Sequence, residues 1–167
     1  LEQLRKFVIH SLHQTGTRDE AQDGIEIALC IIDTRKREME YAGANRPLYL
    51  IRKAQKKSSA GSTGYRLTEY KGDRMPIGIY EQEQTPFSNQ HIELKRNDTL
   101  YLFSDGYVDQ LGGPSRKTFR SKYFRELLLK IQGERMEDQK KILLEKLESW
   151  KGDVEQIDDI LVMGIRI

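Results

Sequence analysis

Two short acidic segments, each beside an apolar run, contain the residues of this sequence that are best suited to chemistry. Asp105 and Gly106 follow the strand-forming run "TLYLF", and Asp158 and Asp159 come directly before "ILVMGI". Carboxylates that converge repel each other unless one is protonated or a cation lies between them. Hard divalent ions such as Mg²⁺ and Mn²⁺ prefer oxygen ligands of this kind. The two segments therefore predict either a metal site or two ordinary turns.

The metal interpretation depends on the two apolar runs being neighbouring antiparallel strands. The end of one strand then meets the start of the other at one edge of the sheet, and Asp105 comes close to Asp158. Gly106 permits a sharp turn and leaves room beside an ion. Ions of this type acidify bound water and can clamp a phosphoryl group. Ser-Asp-Gly and Asp-Asp are also common loop sequences, so spacing alone leaves the turn interpretation open.

Other reactive residue types lack the partners that their chemistry needs. His10 and His13 have no third ligand close in the sequence, which favours a surface pair over a zinc site. Ser104 lacks the Gly-x-Ser-x-Gly context of a serine hydrolase. The single cysteine, Cys30, lies in the apolar run "IALCII" and is predicted to be a small core residue. A chain with one cysteine forms no internal disulfide, which is typical of a reducing compartment.

The composition is that of a well-charged globular protein without the footprint of a nucleic-acid-binding protein. The 167 residues include 28 basic and 26 acidic side chains, and the basic residues are scattered. A chain of this length suits one domain, which we expect to cover 1–167. No apolar run is long enough to cross a bilayer, and the first residues lack the layout of a signal peptide. We therefore expect a cytoplasmic domain.

Hydrophobic periodicity predicts the elements that must position the two acidic segments. Helices are predicted over 1–14, within 116–131 and over 135–150. The first of these has an apolar face formed by Leu1, Leu4, Val8 and Leu12. Strands are predicted at "IEIALCIID", "MEYAGA", "PLYLIR", "YRLTEY", "FSNQHIEL", "TLYLFS" and "DDILVMGIRI".

The arrangement of these elements predicts the fold class. The strand "IEIALCIID" is apolar on both faces and is expected to be fully buried, and "DDILVMGIRI" is expected to be buried as well. Helices and strands do not alternate as they do in parallel βαβ folds. The order therefore predicts an α+β domain with a largely antiparallel sheet and helices packed on its faces.

The quoted segments resemble a known family. "LFSDGYVDQ" and "QIDDILVMGIRI" are similar to the C-terminal half of the metal-dependent protein phosphatases of type 2C, and most of all to the bacterial branch of stage II sporulation protein E and RsbU. "CIIDTRKREMEYAGANRPLYLIR" and "GDRMPIGIYEQEQTPFSNQHIELKRNDTLYLFSDG" resemble further segments of that branch in the same order. The resemblance implies an antiparallel β-sandwich flanked by helices, with the N-terminal strands missing.

The resemblance also implies an activity and a set of site residues. The family hydrolyses phosphoserine and phosphothreonine monoesters with water activated at a pair of Mn²⁺ or Mg²⁺ ions. By motif position, Asp105 and Asp158 are metal ligands, Gly106 and Asp159 support them, and Asp109 is no ligand. The implied substrate is a phosphoprotein in bacterial signalling, for which this branch suggests a phosphorylated anti-sigma-factor antagonist.

The sequence departs from the family pattern at two other motifs. The family's first metal motif is Asp-Gly followed by Gly-His-Gly, and Asp23-Gly24 does not match it because it precedes the wrong strand. Ala44 stands where the family has the histidine of Ala-Gly-His-Asn. We therefore expect the C-terminal portion of a domain, inactive alone, within a longer active parent that carries an upstream sensor or regulatory domain and could be membrane-anchored.

Two further expectations follow from these departures. Exposed sheet edges in such a fragment predict self-association, with a homodimer or swapped elements as the outcome. The alternative to an enzyme is a phosphatase-like module that has no turnover and binds or regulates other proteins.

Overall fold

The computed structural model describes residues 1–15, 24–54, 64–80 and 85–167. Within these ranges the helices are α1 (Glu2–Ser11), α2 (Gly106–Asp109), α3 (Ser121–Lys130) and α4 (Met136–Lys151). The strands are β1 (Ile27–Asp33), β2 (Glu38–Ala44), β3 (Leu48–Lys53), β4 (Tyr65–Tyr70), β5 (Gln90–Glu93), β6 (Thr99–Phe103), β7 (Leu111–Gly112), β8 (Lys117–Thr118) and β9 (Val162–Arg166). Asp23 lies outside the described residues. No helix among those described has the length and apolar character needed to cross a membrane.

The chain divides into two compact units. The first consists of Leu1–Leu48 with Tyr70–Leu94, and the second of Tyr49–Glu69 with Lys95–Ile167. The assignment of 1–167 to one domain stays a prediction.

The first unit is built on a three-stranded antiparallel sheet in the order β1-β2-β5. Asp33 makes the turn from β1 to β2, because its Oδ1 accepts the backbone N–H groups of Arg35 and Lys36, each at 2.9 Å. Val8 of α1 packs against Ala44 and Ile77, and this small core fixes α1 within the unit.

β1 is confirmed as a strand, but it is not the fully buried strand that its apolar sequence predicts. It is the outer strand of the described sheet, and Ile31 is 63% exposed. Cys30, predicted to be a core residue, is only half-buried. That burial still raises the pKa of its thiol to about 11, so the thiol stays protonated at neutral pH.

The buried face of α1 stops before Leu12. The sequence predicts Leu12 on that face, but its side chain is exposed.

The second unit is built on a four-stranded sheet in the order β4-β3-β6-β9. Its core joins Tyr101 and Phe103 of β6 to Phe124 of α3 and Leu143 of α4, among other buried residues. The Phe103 and Phe124 rings lie 5.0 Å apart between centroids, in an edge-to-face contact. The two helices predicted within 116–131 and over 135–150 are therefore confirmed as helices that cover this core.

Two details of the second unit differ from the prediction. β9 begins only at Val162, and Met163 is 48% exposed, so the strand is not buried as expected. It is the outer strand of the described sheet and therefore has a hydrogen-bonded neighbour on one side only. α3 begins at Ser121, because β7 and β8 form a small hairpin before it. The sequence does not predict β7 and β8, because strands of two residues are too short to show an alternating pattern.

Candidate metal centre

The end of β6 and the start of β9 lie side by side, as the metal interpretation requires. Phe103, the last residue of β6, pairs with Val162, the first residue of β9. The ladder continues beyond the two strands, since the backbone N–H of Ser104 donates to the Leu161 carbonyl at 3.1 Å. The segments that contain Asp105 and Asp158 therefore meet at one edge of the sheet, as the sequence predicted.

The Ser104 hydroxyl joins these two segments a second time. Its Oγ donates to the Asp159 carbonyl oxygen at 2.7 Å and accepts the backbone N–H of Leu161 at 2.9 Å. The sequence pattern suggests a nucleophile as the only chemical role for Ser104 and does not predict this contact. A serine next to a strand end is suited to it, because short hydroxyl side chains readily bond to nearby backbone groups.

Gly106 lies directly against the segment that contains Asp159. A Cβ at position 106 would be 2.4 Å from the Asp159 carbonyl oxygen and 2.9 Å from its carbonyl carbon. Both are backbone atoms of a paired segment, so neither can give way without moving the end of β9. The close approach of this segment is what requires glycine here, a reason that differs from the sharp turn and the room beside an ion expected from the sequence.

Asp105 is placed by the short helix that follows it. Its backbone is helical, with φ −72° and ψ −19°, and its carbonyl accepts the N–H groups of Val108 and Asp109, each at 2.9 Å. Its side chain makes no capping bond to α2, and the residue is half-buried. Asp109 lies on the same helix and is exposed.

Asp158 lies in the exposed segment before β9 and shapes that segment itself. Its Oδ1 accepts the backbone N–H of Asp159 at 2.7 Å, and its carbonyl accepts the Gln156 side-chain amide at 2.8 Å. An ionised carboxylate has about four lone-pair sites, so Asp158 can accept this bond and still bind a cation.

The donor set at this edge suits a hard divalent ion. Asp105 is half-buried and Asp158 is exposed, and Mg²⁺ or Mn²⁺ binds carboxylate oxygens while it keeps several waters. No group of three or more histidine, cysteine or acidic side chains converges anywhere in the described ranges. An ion held by these two aspartates would therefore need further ligands from water or from outside the described residues.

The other residues considered from the sequence belong to the first unit. Ala44, which stands in place of the family's histidine, is fully buried and has no metal-binding atom in its side chain. Its neighbour Asn45 donates from Nδ2 to Glu26 Oε1 at 2.9 Å. His10 and His13 are exposed, as expected of a surface pair.

The chain is similar to one known protein family and to several solved structures. A family model described as stage II sporulation protein E (SpoIIE) matches residues 1–167. No curated protein matches the chain significantly.

Several solved structures are similar. The SiaA-PP2C domain of Pseudomonas aeruginosa is 25% identical, with a TM-score of 0.75, over 99% of this chain and 68% of that one. The phosphatase domain of SpoIIE from Bacillus subtilis is 14% identical, with a TM-score of 0.55, over 99% of this chain and 70% of that one. RsbX in complex with magnesium is 11% identical, with a TM-score of 0.51, over 96% and 69%. These likenesses confirm the predicted α+β fold of antiparallel sheets and helices.

Proposed function

The chain belongs to the stage II sporulation protein E family of type 2C protein phosphatases, and from that premise we propose that it forms the metal-binding C-terminal part of a serine/threonine phosphatase. The reaction is hydrolysis of phosphoprotein monoesters. The observation that carries the proposal is the hydrogen-bonded meeting of the segments after β6 and before β9, each of which contains an aspartate.

In this proposal Asp105 and Asp158 hold a divalent ion, either Mn²⁺ or Mg²⁺, through their carboxylate oxygens. Such an ion supplies Lewis-acid activation of water and of the phosphoryl group. Gly106 and Asp159 support the site through the backbone: Gly106 lets the segment before β9 come close, and the Asp159 carbonyl accepts the Ser104 hydroxyl. The Asp159 carboxylate has no assigned role, because its backbone carbonyl already accounts for the contact.

The chain's own residues favour water over a side chain as the nucleophile. The Ser104 hydroxyl donates one hydrogen bond and accepts another, both to backbone groups, and is therefore occupied. The Cys30 thiol has a pKa of about 11, so it is a poor source of thiolate at neutral pH. We therefore expect no covalent phosphoenzyme.

The proposed substrate is a cytoplasmic phosphoprotein of a bacterial signalling pathway, with a phosphorylated anti-sigma-factor antagonist as the example suggested by the family resemblance. A second candidate is a binding module without turnover. It is favoured by Ala44 in place of the family's histidine and by the small number of acidic side chains that meet in the described residues.

Phosphatase assay of the intact protein with Mn²⁺ and a phosphoserine peptide tests the proposal. We expect Asp105→Asn and Asp158→Asn each to lower kcat/KM by at least about 100-fold, because each removes a charged ligand of the ion. Asp109→Asn is the matched control, since Asp109 is exposed on α2 and is assigned no ligand role.

Two results would count against the enzyme. Activity that survives Asp105→Asn unchanged contradicts the ligand role of Asp105. Wild-type protein that binds Mn²⁺ at these aspartates but shows no turnover favours the binding module instead.

A further inference from the structure

We propose that Gln110 is a positioning residue for Asp158, and that it acts by holding the loop before Asp158 against the end of α2. The inference rests on the proposed function, since it takes Asp158 to be a ligand of the ion.

Gln110 is a polar residue in an apolar setting. It is fully buried, and its side-chain amide Nε2 donates to the carbonyl of Leu111 and to the carbonyl of Glu155, each at 3.0 Å. Its Oε1 has no hydrogen-bond partner among the described residues. A methionine would fill a similar volume without burying an amide, so packing does not explain a glutamine here. The bond to the Glu155 carbonyl spans 45 residues of sequence and does explain it.

The backbone of Gln110 is itself held firmly. Its N–H donates to the Gly106 carbonyl at 3.0 Å and ends α2, and its carbonyl accepts from the Phe119 N–H and from Trp150 Nε1, each at 3.1 Å. Gly113 donates its N–H to the Trp150 carbonyl at 2.8 Å. The end of α4 is therefore hydrogen-bonded to the same segment, and the backbone from which the Gln110 side chain extends is held in place.

The loop of residues 155–159, to which Gln110 bonds, is not held in place by burial. Residues 155–159 are all exposed, so packing does not determine where Asp158 lies. The far end of the loop is held by Ser104, through the Asp159 carbonyl and the Leu161 N–H. The near end is held by Gln110 through the Glu155 carbonyl. Asp158 lies between these two anchors, and both anchors come from the segment that contains Asp105.

Gln110→Met tests the positioning in the metal-free chain, because methionine keeps the volume and removes the donor. Gln132→Met is the matched control. Gln132 is a buried glutamine of the same unit, and its Nε2 donates to the Tyr101 hydroxyl at 2.9 Å and the Leu128 carbonyl at 2.8 Å. We expect ¹⁵N relaxation to show a newly mobile Asp158 amide in Gln110→Met and an unchanged one in Gln132→Met. If Gln110→Met does not fold, Gln110→Asn replaces it, because its shorter amide falls short of the Glu155 carbonyl.

Titration of the same variants with Mn²⁺ tests whether the loss of positioning weakens Mn²⁺ binding. Paramagnetic broadening of the Asp105 and Asp158 amides should require about tenfold more Mn²⁺ in Gln110→Met than in the wild type, which is typical of the loss of a residue that orients a ligand. Gln132→Met should match the wild type, and Asp105→Asn should lose the local broadening.

The outcomes separate the two claims. If Gln110→Met behaves as Gln132→Met in both measurements while the wild type binds Mn²⁺ at the two aspartates, the positioning role is wrong and the metal site stands. If the wild type shows no broadening at either aspartate, the metal site is rejected, and the role of Gln110 is rejected with it.

Discussion

Ser104, Gly106 and Gln110 share one property, which is that each acts on the backbone of the segment before β9. Ser104 and Gln110 bond to carbonyls of that segment, and Gly106 allows it to come close. The short sequence from Ser104 to Gln110 therefore contains one proposed ligand, Asp105, together with the groups that place the other. Substitutions that leave both proposed ligands in place are therefore expected to weaken ion binding when they disturb this segment.

Gly106→Ala is expected to damage the site although it adds only a methyl group. The added Cβ would lie 2.4 Å from the Asp159 carbonyl oxygen, so the end of β9 must move away. Overpacking of this kind costs about 1–3 kcal/mol of unfolding free energy. Urea denaturation measures that cost, and Mn²⁺ titration measures the loss of affinity.

The matched control for Gly106→Ala is Gly133→Ala. Gly133 is exposed, and a Cβ there would meet nothing within 4 Å. Equal stability and equal Mn²⁺ affinity in the two variants would show that the close contact at Gly106 has no consequence.

β3, β6 and the turn before β6 are joined by a partly buried ion pair. Asp98 is 1% exposed. It accepts from Arg52 Nε at 2.8 Å, from Arg52 Nη2 at 2.6 Å and from the backbone N–H of Lys95 at 2.7 Å. The pair fixes the start of β6, and β6 is the strand that ends at the candidate metal centre. Its planar two-bond geometry is specific to arginine.

Asp98→Asn is expected to destabilise the second unit by about 2–4 kcal/mol, because it leaves the guanidinium without its charged partner. Part of the Arg52 side chain is exposed, so the lower end of that range is the better guide. Thermal unfolding of the variant measures the effect. The control is Asp138→Asn on α4, which breaks the surface pairs with Arg135 and Lys141 and should lower the midpoint far less, because surface ion pairs contribute little to stability. Equal midpoints in the two variants would contradict a special role for Asp98.

β1 gives the molecule an exposed apolar edge. It is the outer strand of the described three-stranded sheet, and Leu29 and Ile31 are 42% and 63% exposed. A strand of seven residues with few charges is a template for pairing with another chain. We expect any self-association of the kind predicted from the sequence to occur along β1.

Ile31→Lys is expected to reduce self-association, because a lysine on an outer strand opposes edge-to-edge pairing. Light scattering over a range of concentrations should show a shift from dimer towards monomer. Leu144→Lys on α4 is the control, since Leu144 is also exposed but lies on a helix. A wild-type chain that stays monomeric at high concentration would rule out the association itself.

Local patterns in the sequence were enough to predict most elements and the two aspartates. β2, β3, β6 and the helices α3 and α4 follow from alternation or helical spacing, which depend on residues a few positions apart. The aspartates follow from short motifs at strand ends. The meeting of these ends could also be predicted, because two apolar runs separated by two helices can return to one sheet.

The tertiary structure alone determines how exposed β1 and β9 are and which side chains support the segment that contains Asp158. "IALCII" and "LVMGI" look buried because they are apolar, but burial depends on which neighbours cover a strand, and β1 and β9 are outer strands of their described sheets. The bonds of Ser104 and Gln110 reach carbonyls 55 and 45 residues away. A backbone carbonyl has no sequence signature, so these two residues could be given a role only after folding had brought the segments together.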